Sequence, residues 1–371
     1  MNVADGISER IIGLASKDGR ADIVLRKLLR STRGLTAKDR TRISRTVFAW
    51  YKWLGWLDSK SPVRSQLPRA LDLADRFAKH PESFPDDELM PRGVPQWIHS
   101  EMQTSAAWIR SIQTEPALWL RAKRDRVDEL VAKLHAIRDS RVPNALRYAG
   151  DDDLFRCSEF HAGQFEIQDL ASQMVGLLCD PKPGETWWDA CAGEGGKTLH
   201  LSELMENRGL IWASDRAGWR LKSLERRAAR AQRFNYRTAL WNGGARLPTR
   251  TRFDGVLVDA PCSGVGTWQR NPDARWTTTP KDVRELGEIQ NRLLANAVPA
   301  IKSAGRLIYA VCTLTRVETD DVVERFENQF PEFAPEKLTF PFGISTRLGR
   351  LWLRPEQTGG NGMFVAAWIK R

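Results

Sequence analysis

The stretch TWWDACAGEGGKTLHLSELMENRGLIWASD, residues 186–215, reads as strand, glycine-rich turn, helix and second strand. Thr186–Ala190 has the composition of a buried strand. It runs into Asp189-Ala-Cys-Ala-Gly-Glu-Gly-Gly-Lys197-Thr198, and the spacing predicts a helix over Lys197–Glu206. Glycines let a backbone approach a ligand closely, and the helix N-terminus behind them favours an anionic group. The P-loop pattern GxxxxGK(S/T) does not fit. The second strand, Leu210–Ser214, leads into Asp215, an acid placed to accept hydrogen bonds from ribose hydroxyls. Loop and acid together suit NAD or S-adenosylmethionine. The NAD reading wants GxGxxG, which GEGGKT does not supply.

Beyond this stretch the same rhythm continues. Strand candidates are Tyr236–Leu240, Gly255–Asp259, Arg306–Val311 and Met363–Ile369, with helical stretches over Trp219–Phe234 and Lys281–Ser303. Such alternation predicts a doubly wound, mostly parallel α/β sheet, in which ligands bind outside the carboxyl ends of the strands. The fourth strand of this series ends in Asp259-Ala-Pro-Cys262-Ser-Gly264, and the fifth in Tyr309-Ala-Val-Cys312-Thr313. Free cysteine is usually a small buried hydrophobe. Two cysteines at neighbouring strand ends, beside a nucleotide-type site, point instead to chemistry. Carbon 5 of cytosine is a poor nucleophile. A thiolate adding to carbon 6 makes the ring an enamine, which can attack an electrophilic methyl group. That route needs a thiol, an acid near N3, a methyl donor and a means of releasing the adduct, and this edge offers all four.

Upstream the chain changes character. Ile7, Ile11, Ile12 and Leu14 have helical spacing, as do Ile23, Val24 and Leu28, then Ile43, Val47, Phe48, Tyr51 and Leu54. Thr36-Ala-Lys-Asp39 reads as an N-cap with an acidic third residue. Arg26, Lys27, Arg30, Arg33, Lys38, Arg40, Arg42 and Arg45 fill the remaining faces, giving a basic helical bundle. Residues 80–95, with four prolines and a run of acids, read as a linker. Residues 96–160 read as a small α/β unit: a helix over Trp97–Ile112, a strand over Pro116–Lys123, a helix over Asp125–Ile137, and short strands near Leu146 and Phe155.

Composition narrows the function classes. Of 371 residues, 42% are apolar and 28% charged, a globular balance. No apolar run is long enough to span a membrane, and the N-terminus lacks the apolar core of a signal peptide, so a soluble, cytoplasmic protein is expected. Five cysteines without a CxxC pair, and five histidines without HxxxH, argue against a disulfide framework or a zinc site; no metal is expected. The net charge is +11 and uneven: residues 1–150 carry 27 Lys/Arg against 18 Asp/Glu, and residues 151–371 carry 30 against 28. A basic N-terminal half suits a polyanion such as RNA, or a well-solvated helical surface. Of the 15 Trp, some could stack on bases while most belong to packing. Between Arg216 and Arg252 stand eleven basic residues and one acid, Glu225, much of it on one helix that could carry phosphate contacts.

The segments FDGVLVDAPCSGVGTWQRNPDARW, EIQNRLLANAVPAIKSAGRLIYAVCTL, DACAGEGGKTLHLSEL and IQDLASQMV resemble the Sun (RsmB/NOP) family of RNA cytosine-C5 methyltransferases over residues 161–371. The resemblance implies a Rossmann-like class I methyltransferase domain. In it Cys312 would attack the base, Cys262 would assist release of the adduct, Asp259 would contact the base, and Lys197 would sit near the reaction centre. S-adenosylmethionine would be bound by Cys191, Ala192, Gly193, Glu194, Gly195, Gly196 and Lys197, with Asp215, Arg220, Asn242 and Asp259. The segment ADIVLRKLLRSTRGLTAKDRTRISRTVFAWYKWLGWLD resembles the NusB-like helical domain that precedes the catalytic part in the bacterial rRNA branch, and PALWLRAK the strand opening the small domain between them. The implied layout is an all-α RNA-binding domain over 1–92, a small α/β domain over 93–160 and the catalytic domain over 161–371. A monomer acting on small-subunit rRNA is expected. The alternatives are a tRNA methyltransferase and a non-catalytic rRNA-binding or assembly factor.

Several positions depart from the family pattern. Glu194 replaces a proline of the glycine loop, Val311 a threonine before the nucleophile, and Glu318-Thr319-Asp320 an ENE run. Where an adenine-holding Asp is expected, the chain reads Trp241-Asn242-Gly243-Gly244; the Asn242 carbonyl could accept from the adenine amine. A lowered thiol pKa at Cys312, through Lys197, is expected. Cys157 and Cys179 are expected to be structural, and Cys191 as well, although it lies in the cofactor loop.

Overall fold

A computed structural model describes residues 3–16, 19–338 and 349–371. The chain forms two compact units, one of residues 1–116 with 264–283, the other of residues 117–263 with 284–371. These units cut across the three-part division expected from the sequence.

The first unit is helical, with Val3–Leu14, Ala21–Ser31, Ala37–Lys52 and Val63–Lys79 as its long members. Ala4, Ile11, Ala21, Leu25, Ile43, Val47 and Trp50 recur at helical spacing and meet in one core. The capping box read at Thr36 is present: the Asp39 N–H donates to Thr36 Oγ1 (3.1 Å) and the Thr36 N–H to Asp39 Oδ2 (3.0 Å). Residues 80–95 are not a linker. They form a short turn, Pro81–Ser83, and a helix, Asp86–Arg92, and bury Phe84, Leu89 and Val94. Proline and acid counts missed three apolar side chains set at packing intervals. The helix expected over Trp97–Ile112 is two, Ile98–Glu101 and Ala106–Gln113, because Ser105 caps the second by accepting the Trp108 N–H (3.1 Å).

Residues 264–283 belong to this unit too. The Ala21 N–H, an orphan donor at a helix start, finds Asp273 Oδ2 at 2.8 Å. Trp276 Nε1 donates to the Tyr51 carbonyl (2.7 Å). Arg275, fully buried, donates to the carbonyls of Gly93 (2.8 Å), Ile112 (3.2 Å) and Lys52 (3.4 Å) and to Gln113 Oε1 (3.2 Å). Burial works against its charge.

The second unit holds two sheets. The smaller is antiparallel and contains β1 (Leu118–Ala122), β2 (Ile137–Arg138), β3 (Ala145–Tyr148) and β4 (Phe165–Ile167), in the order β2-β3-β1-β4. The strand expected near Phe155 is absent. Leu154–Arg156 is a helical turn with Phe155 exposed, and β1 pairs with β3 on one side and β4 on the other. The larger sheet contains β5 (Thr186–Asp189), β6 (Leu210–Asp215), β7 (Tyr236–Leu240), β8 (Phe253–Asp259), β9 (Ile301–Val311), β10 (Phe333–Pro335), β11 (Arg350–Leu353) and β12 (Met363–Lys370). Its order is β10-β12-β9-β8-β5-β6-β7, with β11 also on β12. The five strands from β9 to β7 are parallel, and β12 is antiparallel to β9.

Alternation explains why this sheet is covered on both faces. Trp187, Ile211, Leu257 and Ile308 point into one core with the helix Leu170–Cys179; Trp188, Val256, Val258, Leu307 and Tyr309 point into the other with the helix Pro280–Ala297. That second helix ends earlier than expected, because Ile301 already pairs with Phe253. The carboxyl ends of β5, β6, β8 and β9 deliver Asp189, Asp215, Asp259 and Cys312 to one edge of the sheet.

Candidate active site

After β5 the glycine loop closes against the end of β6. The Ala192 N–H donates to the Ser214 carbonyl (2.8 Å), and the Gly193 N–H to Asp215 Oδ2 (3.1 Å). Asp215 Oδ1 accepts the Ala217 N–H (2.8 Å), and Arg220 lies 3.8 Å from its carboxylate. Gly195 has φ +86°, and a Cβ there would stand 2.5 Å from Leu224, so only glycine fits. Gly193 has φ +55° with open space where a Cβ would be. Cys191 is part-buried and packs on the core with Trp188; burial pushes its thiol well above the ordinary value. Glu194 is exposed; its carboxylate accepts the Ser223 hydroxyl (3.1 Å) and its carbonyl the Arg227 guanidinium (2.9 Å).

Beneath the loop lie three charges. Lys197, on the first turn of the helix Gly196–Leu204, donates to Asp259 Oδ2 at 2.7 Å. Burial opposes its charge, but the attraction and hydrogen bond of Asp259, with Cys312 and Asp189 behind them, hold its pKa above the ordinary value. Asp189 is fully buried and accepts the Thr198 hydroxyl on Oδ2 (2.7 Å), while its Oδ1 has no well-aligned donor among the described residues. Burial, aided by the negative charge of Asp259, pushes its carboxyl up to about 7, against the pull of Thr198, Lys197 and the Cys191 amide.

The two cysteines meet. Cys262 Sγ and Cys312 Sγ are 3.2 Å apart, both part-buried. Lys197, expected to act on Cys312, spends its hydrogen bond on Asp259. An ion pair, two touching thiols and a buried acid thus share the carboxyl edge. The donor set fits a nucleoside carrying an ammonium group: the Asp215 carboxylate for hydroxyls, the Asp189 oxygen without a well-aligned donor among the described residues for a cation, and the open Gly193 backbone between them.

The model of the family described as 16S rRNA methyltransferase RsmB/F matches residues 176–369. This chain belongs to that family. It is 34% identical over 302 residues to the probable ribosomal RNA small subunit methyltransferase B of Synechocystis sp., covering 76% of this chain and 66% of that one. To ribosomal RNA small subunit methyltransferase B of Xylella fastidiosa (strain 9a5c) it is 31% identical over 385 residues, covering 96% of this chain and 86% of that one. Several curated relatives are longer: the match spans 66% of the Synechocystis protein and 49% of the one from Bacillus subtilis. The crystal structure of PH0851 has the same fold, with a TM-score of 0.80 at 23% identity over 100% of this chain and 99% of that one.

Two features of this RsmB/F member were not read from its sequence. The Gly196 carbonyl is held by Gln168 Nε2 (3.2 Å) and Arg121 Nη1 (3.3 Å), and Arg121 is itself paired with Glu203 (3.1 Å). Gln168 lies in IQDLASQMV, so the signal was a motif without an assigned role. The other is Glu318, fully buried beneath both cysteine turns. Asn242 is exposed, and its side-chain carbonyl accepts the Gly244 N–H (3.1 Å) in its own turn, so the group expected to face an adenine amine already has a partner. Of the basic helix Gly218–Ala231, Arg227 and Arg230 pair with Glu166, while Lys222 and Arg226 are exposed. No group of three or more His, Cys, Asp or Glu among the described residues could hold a metal, and no described helix is long and apolar enough to cross a membrane.

Proposed function

We propose that this chain methylates carbon 5 of a cytosine in RNA, with small-subunit rRNA as the substrate, through a covalent bond between Cys312 and carbon 6. The observation that carries the reading is the 3.2 Å contact of two thiols at neighbouring strand ends, beside the Lys197–Asp259 pair. One thiol suffices to attack a base. A second in contact with it suits an enzyme that must also leave. Family membership supports the rRNA substrate, and the exposed bases Arg26, Lys27, Arg30, Lys38, Lys222 and Arg226 supply phosphate contacts that position an RNA without reading its sequence.

S-adenosylmethionine would be held by Asp215, the Cys191–Lys197 loop and Asp189 and would supply an electrophilic methyl group. The residues of the chain do the rest. The Cys312 thiolate adds to carbon 6 and makes carbon 5 nucleophilic. Asp259, fixed by Lys197, faces the base and stabilises the activated ring. Once carbon 5 carries the methyl group, its proton leaves. The freed electron pair restores the C5–C6 double bond, and the S–C6 bond breaks to return the Cys312 thiolate. Cys262 assists this last step.

The test is to incubate Cys262→Ala, Cys312→Ala and the double variant with S-adenosylmethionine and total cellular RNA and to run denaturing gels. An RNA-linked protein band in Cys262→Ala alone is expected, and the trapped RNA identifies rRNA or tRNA. Folded Cys262→Ala without a band would sink the reading.

A further inference from the structure

The turn that carries Cys262 and the turn that carries Cys312 share one buried carboxylate. Glu318 is fully buried and no ion pair to it is seen among the described residues, yet five donors converge on it. Oε1 accepts the Ser263 N–H (2.8 Å) and Gln290 Nε2 (3.0 Å). Oε2 accepts the hydroxyls of Ser263, Thr313 (3.1 Å) and Thr315 (2.8 Å). Ser263 follows Cys262 and Thr313 follows Cys312, and their hydroxyls are 3.0 Å apart. Gln290 also donates to the Pro261 carbonyl (2.9 Å), so the Cys262 turn is gripped on both sides. The Glu318 backbone is pinned in turn, its carbonyl accepting the buried Tyr309 hydroxyl (2.7 Å). A carboxylate is the one side chain that accepts all five, since it carries no proton to donate.

We infer that Glu318 is a positioning residue that sets the separation of the two thiols, and that its loss disables release of the RNA adduct before it disables attack. This rests on the two-thiol reading above. The order follows from what else holds each turn. Cys312 stands one residue beyond β9, whose Val311 pairs with Phe364 of β12 and whose Ala310 pairs with Asp259 of β8, so the sheet fixes it from both sides. The Cys262 turn has left the sheet. After the Ala260 N–H bond to the Ala310 carbonyl (3.0 Å), side-chain contacts take over from strand pairing, among them those of Gln290 and Glu318 and the Ser263–Thr313 hydroxyl contact. Glu318→Gln keeps the shape but turns an acceptor into a donor that faces donors, and the turn with the weaker second support moves.

The experiment uses the full chain with both cysteines present. Glu318→Gln, Glu318→Asp and Ser263→Ala are compared with wild type and Cys262→Ala for steady-state methyl transfer and for RNA-linked protein on denaturing gels, with thermal melts to establish folding. In Glu318→Gln turnover is expected to fall roughly a hundredfold, the cost of a displacement near 1 Å, while an RNA-linked band appears that wild type lacks. Glu318→Asp, which restores the acceptor, recovers part of the turnover and weakens the band. Ser263→Ala removes one donor from the same carboxylate and gives the same sign in smaller measure, which decides the matter if Glu318→Gln does not fold. A residue that only stabilises the fold would lower the amount of active enzyme without creating a trapped species. Lost turnover with no band in folded Glu318→Gln, or unchanged turnover, overturns the inference. A missing band in Cys262→Ala itself overturns the two-thiol reading instead.

Discussion

Asp189 turns the buried acid of the cofactor loop into a measurable pH effect. Its carboxyl is pushed up to about 7 by burial, from an ordinary value of 3.8. Below pH 4 the group is neutral in both the folded and unfolded chain and costs nothing. Between pH 4 and 7 the unfolded chain ionises it while the folded chain keeps its proton, so the folded state binds more protons and loses stability as pH rises. From about pH 8 both forms are ionised and the loss stays constant. Across the window the loss is on the order of 4 kcal/mol, with roughly 2 kcal/mol of it between pH 5 and 7. Asp189→Asn keeps an acceptor for the Thr198 hydroxyl and removes the titration. Urea unfolding of both proteins from pH 5 to 9 is therefore expected to give curves that part by roughly 2 kcal/mol up to pH 7, the variant being the more stable, and run parallel from about pH 8. A difference independent of pH between 5 and 7, or a wild type that gains on the variant there, would refute the reasoning. The variant is expected to lose methyl transfer, since the oxygen without a well-aligned donor that we assign to the cofactor's ammonium becomes neutral.

Lys197→Met leaves Asp259 without its ammonium in a largely enclosed site; a loss of about 3 kcal/mol in unfolding free energy and of most methyl transfer is expected, with Lys197→Met/Asp259→Asn recovering stability but not turnover. Arg275→Met takes a donor from four oxygens in the helical unit, of which the Lys52 carbonyl keeps Gln113 Nε2 (3.0 Å), and is expected to cost about 3–5 kcal/mol, read as a lowered melting transition. Gly195→Ala places a Cβ against Leu224 at φ +86° and is expected to cost about 1–3 kcal/mol while weakening calorimetric binding of S-adenosylmethionine; an unaltered loop would leave both unchanged. Alkylation with iodoacetamide at pH 8, followed by mass spectrometry, is expected to modify Cys262 and Cys312 and to spare Cys179, whose thiol burial pushes up to about 12, and Cys191.

The parallel sheet was legible because the apolar runs of β5, β6 and β8 end in Asp189, Asp215 and Asp259, and because those of β9 and β12 are long and buried; each of these strands, with β7, overlaps a stretch whose composition predicts it. Short pieces were not. β10 and β11 are three and four residues long, too short for a period of two to register, and they exist because β12 offers them an edge. Residues 80–95 failed for the opposite reason. Their composition spoke of a linker, but a segment is held by which few side chains it buries, and Phe84, Leu89 and Val94 are few. Residues 264–283 carried motif residues of the catalytic family and so were assigned to it, whereas Trp276 and Arg275 bond to groups more than 150 positions away in the helical unit, a separation no local pattern reports.

At the site, sequence named the strand-end side chains and left out what surrounds them. Asp189, Asp215, Asp259 and Cys312 are strand-end residues, so topology alone brought them to one edge. Their electrostatics depend on distances of a few ångströms between turns. Lys197 illustrates the difference. It was placed near the reaction centre and given the task of activating Cys312, yet its hydrogen bond goes to Asp259. A lysine bound to a carboxylate orients that carboxylate as well as lending positive field to the thiol beyond it, and the two roles make different demands on a variant. If Lys197 acts chiefly through Asp259, Lys197→Arg, which keeps both charge and donors, should retain more turnover than Asp259→Asn. If it acts chiefly on Cys312, Asp259→Asn should leave the rate of thiol alkylation at Cys312 untouched while Lys197→Met slows it. The 2.7 Å contact favours the first ordering, and a Cys312 alkylation rate that changed only with Lys197 would reverse it.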